Sequence, residues 1–413
     1  MKILFYNHTG QVSGAERLLL MILRRLDRHR FDPAAVCPDQ GALAELLAEL
    51  SLPVETVARL DARFTWRLDL LARYLKSFFG VMQQLRSCVI KREPDLIHAN
   101  SIRAGLVATV ATFGLGTTVV WHLHDMLPRH PISTAIRLMA LFSRRLRMIA
   151  VSQAVADNFQ GACFPLRERV TVILNSIELD RFCPGQRTRE AIRAELEVTE
   201  AAPLIGIVGQ LTPRKGQLEL LHSFAKALKE IPRAVLVIVG SALFNRDSEY
   251  AQLLQETVRK LGIDESVQLV GERSDIPAVM QALDLLVINS TVEPFGLVAL
   301  EAMACNTPIL ASISGGIPEL IEHNVNGWLA PQGDQNAMTD ALVRLSQQPE
   351  LRARFAAEGQ KHIVAGFSAE RYLTELESFY HSQSTRESSS SKELPQPQPV
   401  NETRWKVQPG SIN

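Results

Sequence analysis

From its start to about residue 382 the chain alternates short apolar runs with helical patterns. No other feature restricts its fold so strongly, because parallel strands require a crossover and a helix is the usual one. In the first half the runs are "KILFYNH" (2–8), "DPAAVCP" (32–38), "DLIHAN" (95–100), "TVVWHLHD" (118–125), "MIAVS" (148–152) and "VTVILN" (170–175). In the second they are "LIGIVGQL" (204–211), "AVLVIVG" (234–240), "VQLVGE" (267–272), "LLVINS" (285–290), "PILAS" (308–312) and "GWLA" (327–330). Each half opens with a strand that runs into a Gly-containing turn and a long helix. Between them, "NSIELDRFCPGQRTR" (175–189) is polar and carries Pro and Gly, as an interdomain linker does. The expectation is α/β, with two similar doubly wound domains facing a cleft. Ligands then belong at the carboxyl ends of the strands.

Length supports two units, since 413 residues exceed what one hydrophobic core usually serves. The expected bounds are 1–180 and 190–366, then a terminal helix over 367–383. From Ser384 onward the chain is rich in Ser, Pro and Gln and reads as a disordered tail, 384–413. The five cysteines are odd in number and form no CxxC pair, which argues for a reducing compartment and against a disulfide framework or zinc site. "MKILFYNHTG" turns polar too early for a signal peptide, and the weakly polar stretch 105–121 is interrupted by "TFGLGTT". The expected location is cytoplasmic. Net charge is zero, yet residues 1–183 hold 23 Lys+Arg against 16 Asp+Glu, leaving 21 against 28 beyond them. A first half at about +7 can steer toward an anionic surface or substrate; chance distribution of solvated charge is the other reading.

"EPFGLVALEAMACNTPIL" (293–310) raises a sharper question. Pro294 suits a first helical turn, so a helix is expected from near Glu293 to about Cys305, with Asn306 as a left-handed cap. The helix is apolar nearly all round, hence buried, and an unpartnered carboxylate is expensive to bury there. Eight residues would place Glu293 and Glu301 roughly 12 Å apart, too far for a glycosidase acid pair or a shared metal. Either Glu293 complements the helix dipole and Glu301 pairs internally, or the two acids bracket a long ligand. In the second case the N–H groups at Phe295, Gly296 and Leu297 form an anion site, with a diphosphate between a hexose and a ribose.

This segment, with "GGIPELI" after it, resembles the signature of retaining glycosyltransferases of family 4, whose fold is GT-B: two Rossmann-like doubly wound domains facing a central cleft. Further segments resemble the family in order: "GAERLLL" (14–20), "PDLIHANS" (94–101), "VVWHLHD" (119–125), "IAVSQAVADNF" (149–159), "VTVILNSIELDRFCP" (170–184), "VGQLTPRKGQLELL" (208–221) and "VGERSDIPAVMQALDLLV" (270–287). The resemblance implies a nucleotide-diphosphate-sugar donor, a hydroxyl-bearing acceptor, no cofactor, no metal and no nucleic acid. It implies that Glu293 holds donor-sugar hydroxyls beside the Phe295, Gly296 and Leu297 backbone. Glu301 would take the ribose, the backbone at Glu272 and Arg273 the base, and Lys215 the diphosphate. Gly14 would let its turn approach the phosphates from the opposite wall, and His124 would sit near the reacting carbon. His122, two residues earlier on the same strand, competes for that role.

Two positions depart from the pattern. Where the family has "GRL" the chain reads "GQL", so Gln210 replaces an expected arginine, and Arg214 is the nearest substitute. The linker's usual "NGV" reads Asn175-Ser176-Ile177, a change expected to alter turn geometry. Retention through a covalent intermediate needs a carboxylate beneath the anomeric carbon. With Glu293 assigned to hydroxyls, front-face substitution is expected instead. The rival readings are a nucleotide-sugar epimerase on the same fold and a module that binds a nucleotide-sugar without transferring it. Finally, "RFTWRLDLLARYLKSFFGVMQQLR" (63–86) is basic and apolar, which suits either an anionic membrane surface or a core helix with its basic face in water.

Overall fold

The computed structural model describes residues 1–60, 68–161, 163–182, 188–242 and 245–388. Seven strands, β1 (Lys2–Tyr6), β2 (Asp32–Pro38), β3 (Val54–Val57), β4 (Leu96–Ala99), β5 (Thr118–Leu123), β6 (Leu146–Ala150) and β7 (Val170–Val172), build the first sheet. Its order is β3-β2-β1-β4-β5-β6-β7, parallel throughout. Six strands, β8 (Leu204–Val208), β9 (Val235–Val239), β10 (Val267–Gly271), β11 (Leu285–Ile288), β12 (Ile309–Ser312) and β13 (Trp328–Ala330), build the second in the order β10-β9-β8-β11-β12-β13, also parallel. The molecule is therefore α/β, with two Rossmann-like doubly wound sheets. Helices cover both faces, which is why most strands read as continuous apolar runs rather than alternating ones. β3 is the strand with no counterpart in the sequence reading. It lies at a sheet edge and three of its four residues are not buried, so "VETV" never makes an apolar run.

In each sheet the order reverses beside the first strand, between β1 and β4 and between β8 and β11. The carboxyl ends of these strands open on one cleft of about 1580 Å³. One hydrophobic cluster runs beneath it from Leu4 and Trp121 to Leu300 and Met303, joining the two units.

Direct contacts also hold the units together. Ser152 begins the helix Gln153–Gln160, where its Oγ accepts from Val155 N (3.1 Å) and donates to the Pro294 carbonyl of the second unit (2.6 Å). Both carboxylate oxygens of Glu319 accept from the N–H groups of Gln153 and Ala154, each at 2.8 Å, so the second unit caps a helix of the first. The chain crosses between units twice, and the crossings lie side by side: Ile177 N donates to the Phe367 carbonyl at 3.2 Å. No residue of 175–177 has a positive φ, so Ser176 fills the usual glycine position without strain.

The terminal helix, Ala369–Ser388, packs not on the second sheet but back on the first. Tyr372, Leu376 and Tyr380 are buried there with Ile3 and Phe5. It extends beyond the expected end at 383, because no Gly or Pro interrupts the helix and Gln383 Nε2 donates to the Phe379 carbonyl (3.2 Å). The rest of the expected tail, 389–413, lies outside the described residues.

Residues 63–67 of the basic stretch also lie outside them, and the remainder opens the helix Leu68–Arg92. That helix buries Val81, Leu85 and Val89 while Leu75 and Phe79, one turn apart, are 50% and 53% exposed. It is a core helix with an apolar patch at its outer end. Among the described residues no helix is long and apolar enough to cross a membrane.

Candidate active site

The 293–305 segment corrects the sequence reading first. The helix spans Leu297–Ala304, and Glu293 lies in the loop before it. Gly296 precedes the first turn with φ 107°, a conformation strained for any other residue; an added Cβ would also sit 2.7 Å from Ile317 Cδ1. The carbonyls that an earlier helix start would use are taken from outside: Gly316 N donates to Glu293 O (2.9 Å) and Ser152 Oγ to Pro294 O (2.6 Å). The eight-residue rise therefore does not apply. Asn306 does adopt the left-handed conformation, φ 58°.

Glu293 nevertheless lines the cleft. It is buried, and its Oε2 accepts from Lys215 Nζ (2.7 Å) and Ser290 Oγ (2.9 Å). Oε1 has no hydrogen-bond partner among the described residues. Lys215 comes from the short 3₁₀ turn Pro213–Lys215 after β8, and Glu293 and Ser290 from the loop after β11. The ion pair thus bridges the point where the second sheet's order reverses. Beside it, Phe295, Gly296, Leu297 and Val298 at the start of the Leu297 helix line the cleft, and the N–H groups of a first helical turn have no acceptor within the helix.

Glu301 answers the question of its partner. Its carboxylate makes no hydrogen bond or ion pair with the described residues, and it lies on the cleft wall. Burial pushes its pKa up to about 7, although Arg17, Arg181 and Lys215 pull the other way. It is a half-buried acid with positive neighbours and no bonded partner among the described residues.

Gln210 and Arg214 line the same wall. The Gln210 carbonyl accepts from Gln217 Nε2 (2.9 Å). Arg214 is exposed, and its Nη1 donates to the Val292 carbonyl at 3.2 Å. The tight turn lets Arg214 and Lys215 both reach the cleft although they are adjacent in sequence. Glu272 Oε2 accepts from Ser241 Oγ (2.9 Å). The Arg273 guanidinium is held by Asp275 and Glu195, at 2.7 and 2.6 Å, which keeps the turn after β10 in place.

Across the cleft, Gly14 opens the helix Gly14–Arg25 and faces the Leu297 helix; an added Cβ would lie 3.0 Å from Leu297 Cδ1. His124 follows β5 and lines the cleft, with Nε2 3.1 Å from Asn100 Oδ1. Burial draws its pKa down to about 3, so it is neutral at ordinary pH. His122, the competitor, is wholly buried and bonds backward to His98, Nδ1 to Nε2 at 3.2 Å. Of the two, His124 reaches the cleft.

The likeness to known proteins is broad. Residues 12–181 match the family model "Glycosyltransferase Family 4", and residues 188–362 match "Glycosyl transferases group 1". The crystal structure of Anabaena Alr3699/HepE in complex with UDP is 30% identical, covering 92% of this chain and all of that one, with a TM-score of 0.78. This chain is a group 1/family 4 glycosyltransferase with the GT-B fold. The Alr3699/HepE complex with UDP-glucose superposes with a TM-score of 0.79 at 29% identity, over the same coverage. An Escherichia coli enzyme, UDP-Gal:alpha-D-GlcNAc-diphosphoundecaprenol alpha-1,3-galactosyltransferase, is 24% identical over 89% of this chain and 94% of its own. D-inositol 3-phosphate glycosyltransferase of Saccharomonospora viridis is 28% identical, and this glycosyltransferase spans 65% of that relative's length.

Sequence reading missed some of the residues that build the cleft of this glycosyltransferase. Asn100, after β4, and the arginines Arg59, Arg73 and Arg103 line the first domain's wall, while the buried Ser290 and Asn7 lie behind the lining, bonded to Glu293 and Asn100. The signal available for Asn7 and Asn100 was a polar residue directly after each of two apolar strands.

Proposed function

We propose that this glycosyltransferase moves a sugar, with retention and without a metal, from a nucleotide-diphosphate sugar to a hydroxyl of an anionic acceptor. The observation that carries the reading is the Lys215–Glu293 pair beside the Leu297 helix mouth, with Glu301, unpartnered among the described residues, farther along. A diphosphate at that mouth would meet the Lys215 ammonium and free N–H groups, while the ribose diol reaches Glu301. Glu293 Oε1 is left for the sugar's hydroxyls.

The chemistry follows from what each group can do. Glu293 is held through Oε2 by Lys215 and Ser290, which favours a positioning role over attack on the anomeric carbon. In front-face substitution the bond from that carbon to the diphosphate breaks, and the acceptor oxygen bonds to it on the same face. The departing phosphate oxygen takes the acceptor's proton. Lys215 and the helix mouth stabilise the developing negative charge, the role a metal plays elsewhere. A chelator should then leave turnover unchanged.

The acceptor is read from the opposite wall. Arg59, Arg73 and Arg103 line the first domain's side of the cleft beside His8. Burial chiefly lowers the His8 pKa to about 4, and the positive charges of Arg103 and Arg59 add to it. The acceptors named for two relatives, inositol 3-phosphate and diphosphoundecaprenol-linked GlcNAc, both carry phosphate. We extend the reading to a lipid-linked or soluble phosphate-bearing acceptor, as in cell-envelope or exopolysaccharide synthesis. The Leu75 and Phe79 patch near Arg73 and Lys76 would rest on an anionic membrane.

A panel of nucleotide-sugars, beginning with UDP-glucose and UDP-galactose, tests the donor reading by thermal shift. Nucleotide release that depends on a phosphate-bearing acceptor supports transfer. Epimerised donor, or binding without turnover, would replace it with one of the rival readings. Sedimentation with anionic vesicles at low salt tests the surface contact, which should fade as ionic strength rises.

A further inference from the structure

The polar groups at the ends of β1 and β4 take no part in the transfer chemistry above, yet they are connected in one direction. Asn7 Nδ2 donates to the Thr9 carbonyl (2.6 Å) and to Glu16 Oε1 (3.2 Å). Both partners only accept, so the Asn7 amide has a single workable orientation, with Oδ1 turned toward Asn100. Asn100 Nδ2 donates to that oxygen (3.1 Å) and to the Ala15 carbonyl (3.3 Å). The second acceptor fixes Asn100 in turn, and its Oδ1 faces His124 Nε2 at 3.1 Å. An amide oxygen cannot donate, so the hydrogen in that contact belongs to His124 Nε2. In a neutral imidazole the other nitrogen, Nδ1, is then a bare acceptor. Nδ1 has no hydrogen-bond partner among the described residues, and His124 lines the cleft.

We propose that Glu16, Asn7 and Asn100 form a directional hydrogen-bond chain that holds His124 as its Nε2–H tautomer, presenting Nδ1 to accept a hydrogen bond from a hydroxyl of the donor sugar. The proposal rests on the donor reading and adds three positioning residues to it. His124 then recognises a hydroxyl and does not supply a proton to the leaving group. A donor with no hydroxyl at that position leaves Nδ1 unsatisfied and is selected against. The chain begins where the Gly14 helix begins, since Glu16 Oε2 also accepts from Ser13 N (3.0 Å) and Ser13 Oγ (2.5 Å). His124 and the helix mouth facing Leu297 are therefore parts of one rigid wall. Burial keeps the ring uncharged, and His122 lies tilted against it with centroids 3.9 Å apart.

The test is a long-range ¹H–¹⁵N spectrum of the full chain labelled at its ten histidines. His124 is assigned by the signal lost in His124→Gln. At pH 7.5 the wild-type ring should show a pyrrole-type Nε2 and a pyridine-type Nδ1. In Asn100→Ala the two signals should move toward an average of tautomers. In the same variant kcat/KM for the donor should fall about tenfold, the loss expected for one hydrogen bond, while the acceptor KM stays unchanged. A protonated Nδ1 or an imidazolium in the wild type would overturn the proposal, as would an unchanged tautomer in Asn100→Ala. If that variant does not fold, the wild-type spectrum still decides. The spectrum requires no donor, so its failure is distinct from a negative nucleotide-sugar panel, which counts against the donor reading alone.

Discussion

The first six strands of the first sheet and the six of the second share one order, yet the two reversal points carry opposite chemistry. In the first domain the residues after β1 and β4 meet as neutral amides, Asn7 and Asn100 at 3.1 Å. In the second, the residues after β8 and β11 meet as an ion pair, Lys215 and Glu293 at 2.7 Å. Topology brings a polar pair to the cleft in both cases, because strands adjacent in space end at the same edge. Residue type then decides what each pair does. An ion pair can share its positive partner with a phosphate, whereas an amide chain can only orient its neighbour.

The comparison breaks most severely at Lys215. Lys215→Ala should lower donor kcat/KM by about 10²–10³, the loss seen elsewhere when one preorganised donor to a developing anion is removed. Steady-state rates with the donor found in the panel measure it; a loss no larger than that of Asn100→Ala would make the two reversal points equivalent.

Next comes Glu301. Glu301→Gln should weaken nucleotide binding by about 1.5–3 kcal/mol, the range for hydrogen bonds to a charged group, as read by calorimetry. The ligand-free protein should respond in the opposite sense. With the folded pKa raised to about 7, the stability linked to Glu301 is complete below the unfolded value near 4.5 and is lost as pH rises through 7. Glu301→Gln should therefore raise Tm above pH 7 and leave it unchanged near pH 4. Equal Tm values at pH 8 would show that Glu301 bears no burial cost.

Smaller effects separate the two walls. Arg103→Ala should raise the acceptor KM several-fold, since hydrogen-bonded charges contribute about 1.5–3 kcal/mol when sheltered and less when exposed as here. Donor affinity should not change, and a change there would assign Arg103 to the other substrate. Arg214→Ala should be the mildest. Its exposed guanidinium is worth about 0.2–1 kcal/mol, at most roughly fivefold in turnover, and Gln210→Arg should restore it. A loss as large as that of Lys215→Ala would make Arg214 a full replacement for the missing arginine.

The chain's alternating pattern alone carried the α/β class and nearly every strand, because burial on both faces demands an unbroken apolar run. That the residues from Glu293 to Glu301 share one part of the cleft wall was legible for a related reason: they lie within one loop and one short helix, where spacing in sequence is spacing in space. Even there the helix start was misplaced, since Gly316 and Ser152, from distant segments, take the carbonyls that a longer helix would have used. Only the tertiary structure could bring Lys215 to Glu293 across 78 residues, or Asn100 to Asn7 across 93. Parallel sheets join strand ends that the crossover helices hold far apart in sequence. The return of Tyr380 to the first sheet and the direction of the chain that ends at His124 were settled in the same way. A hydrogen bond's direction depends on which acceptors surround each amide, and no linear pattern of residue types contains that information.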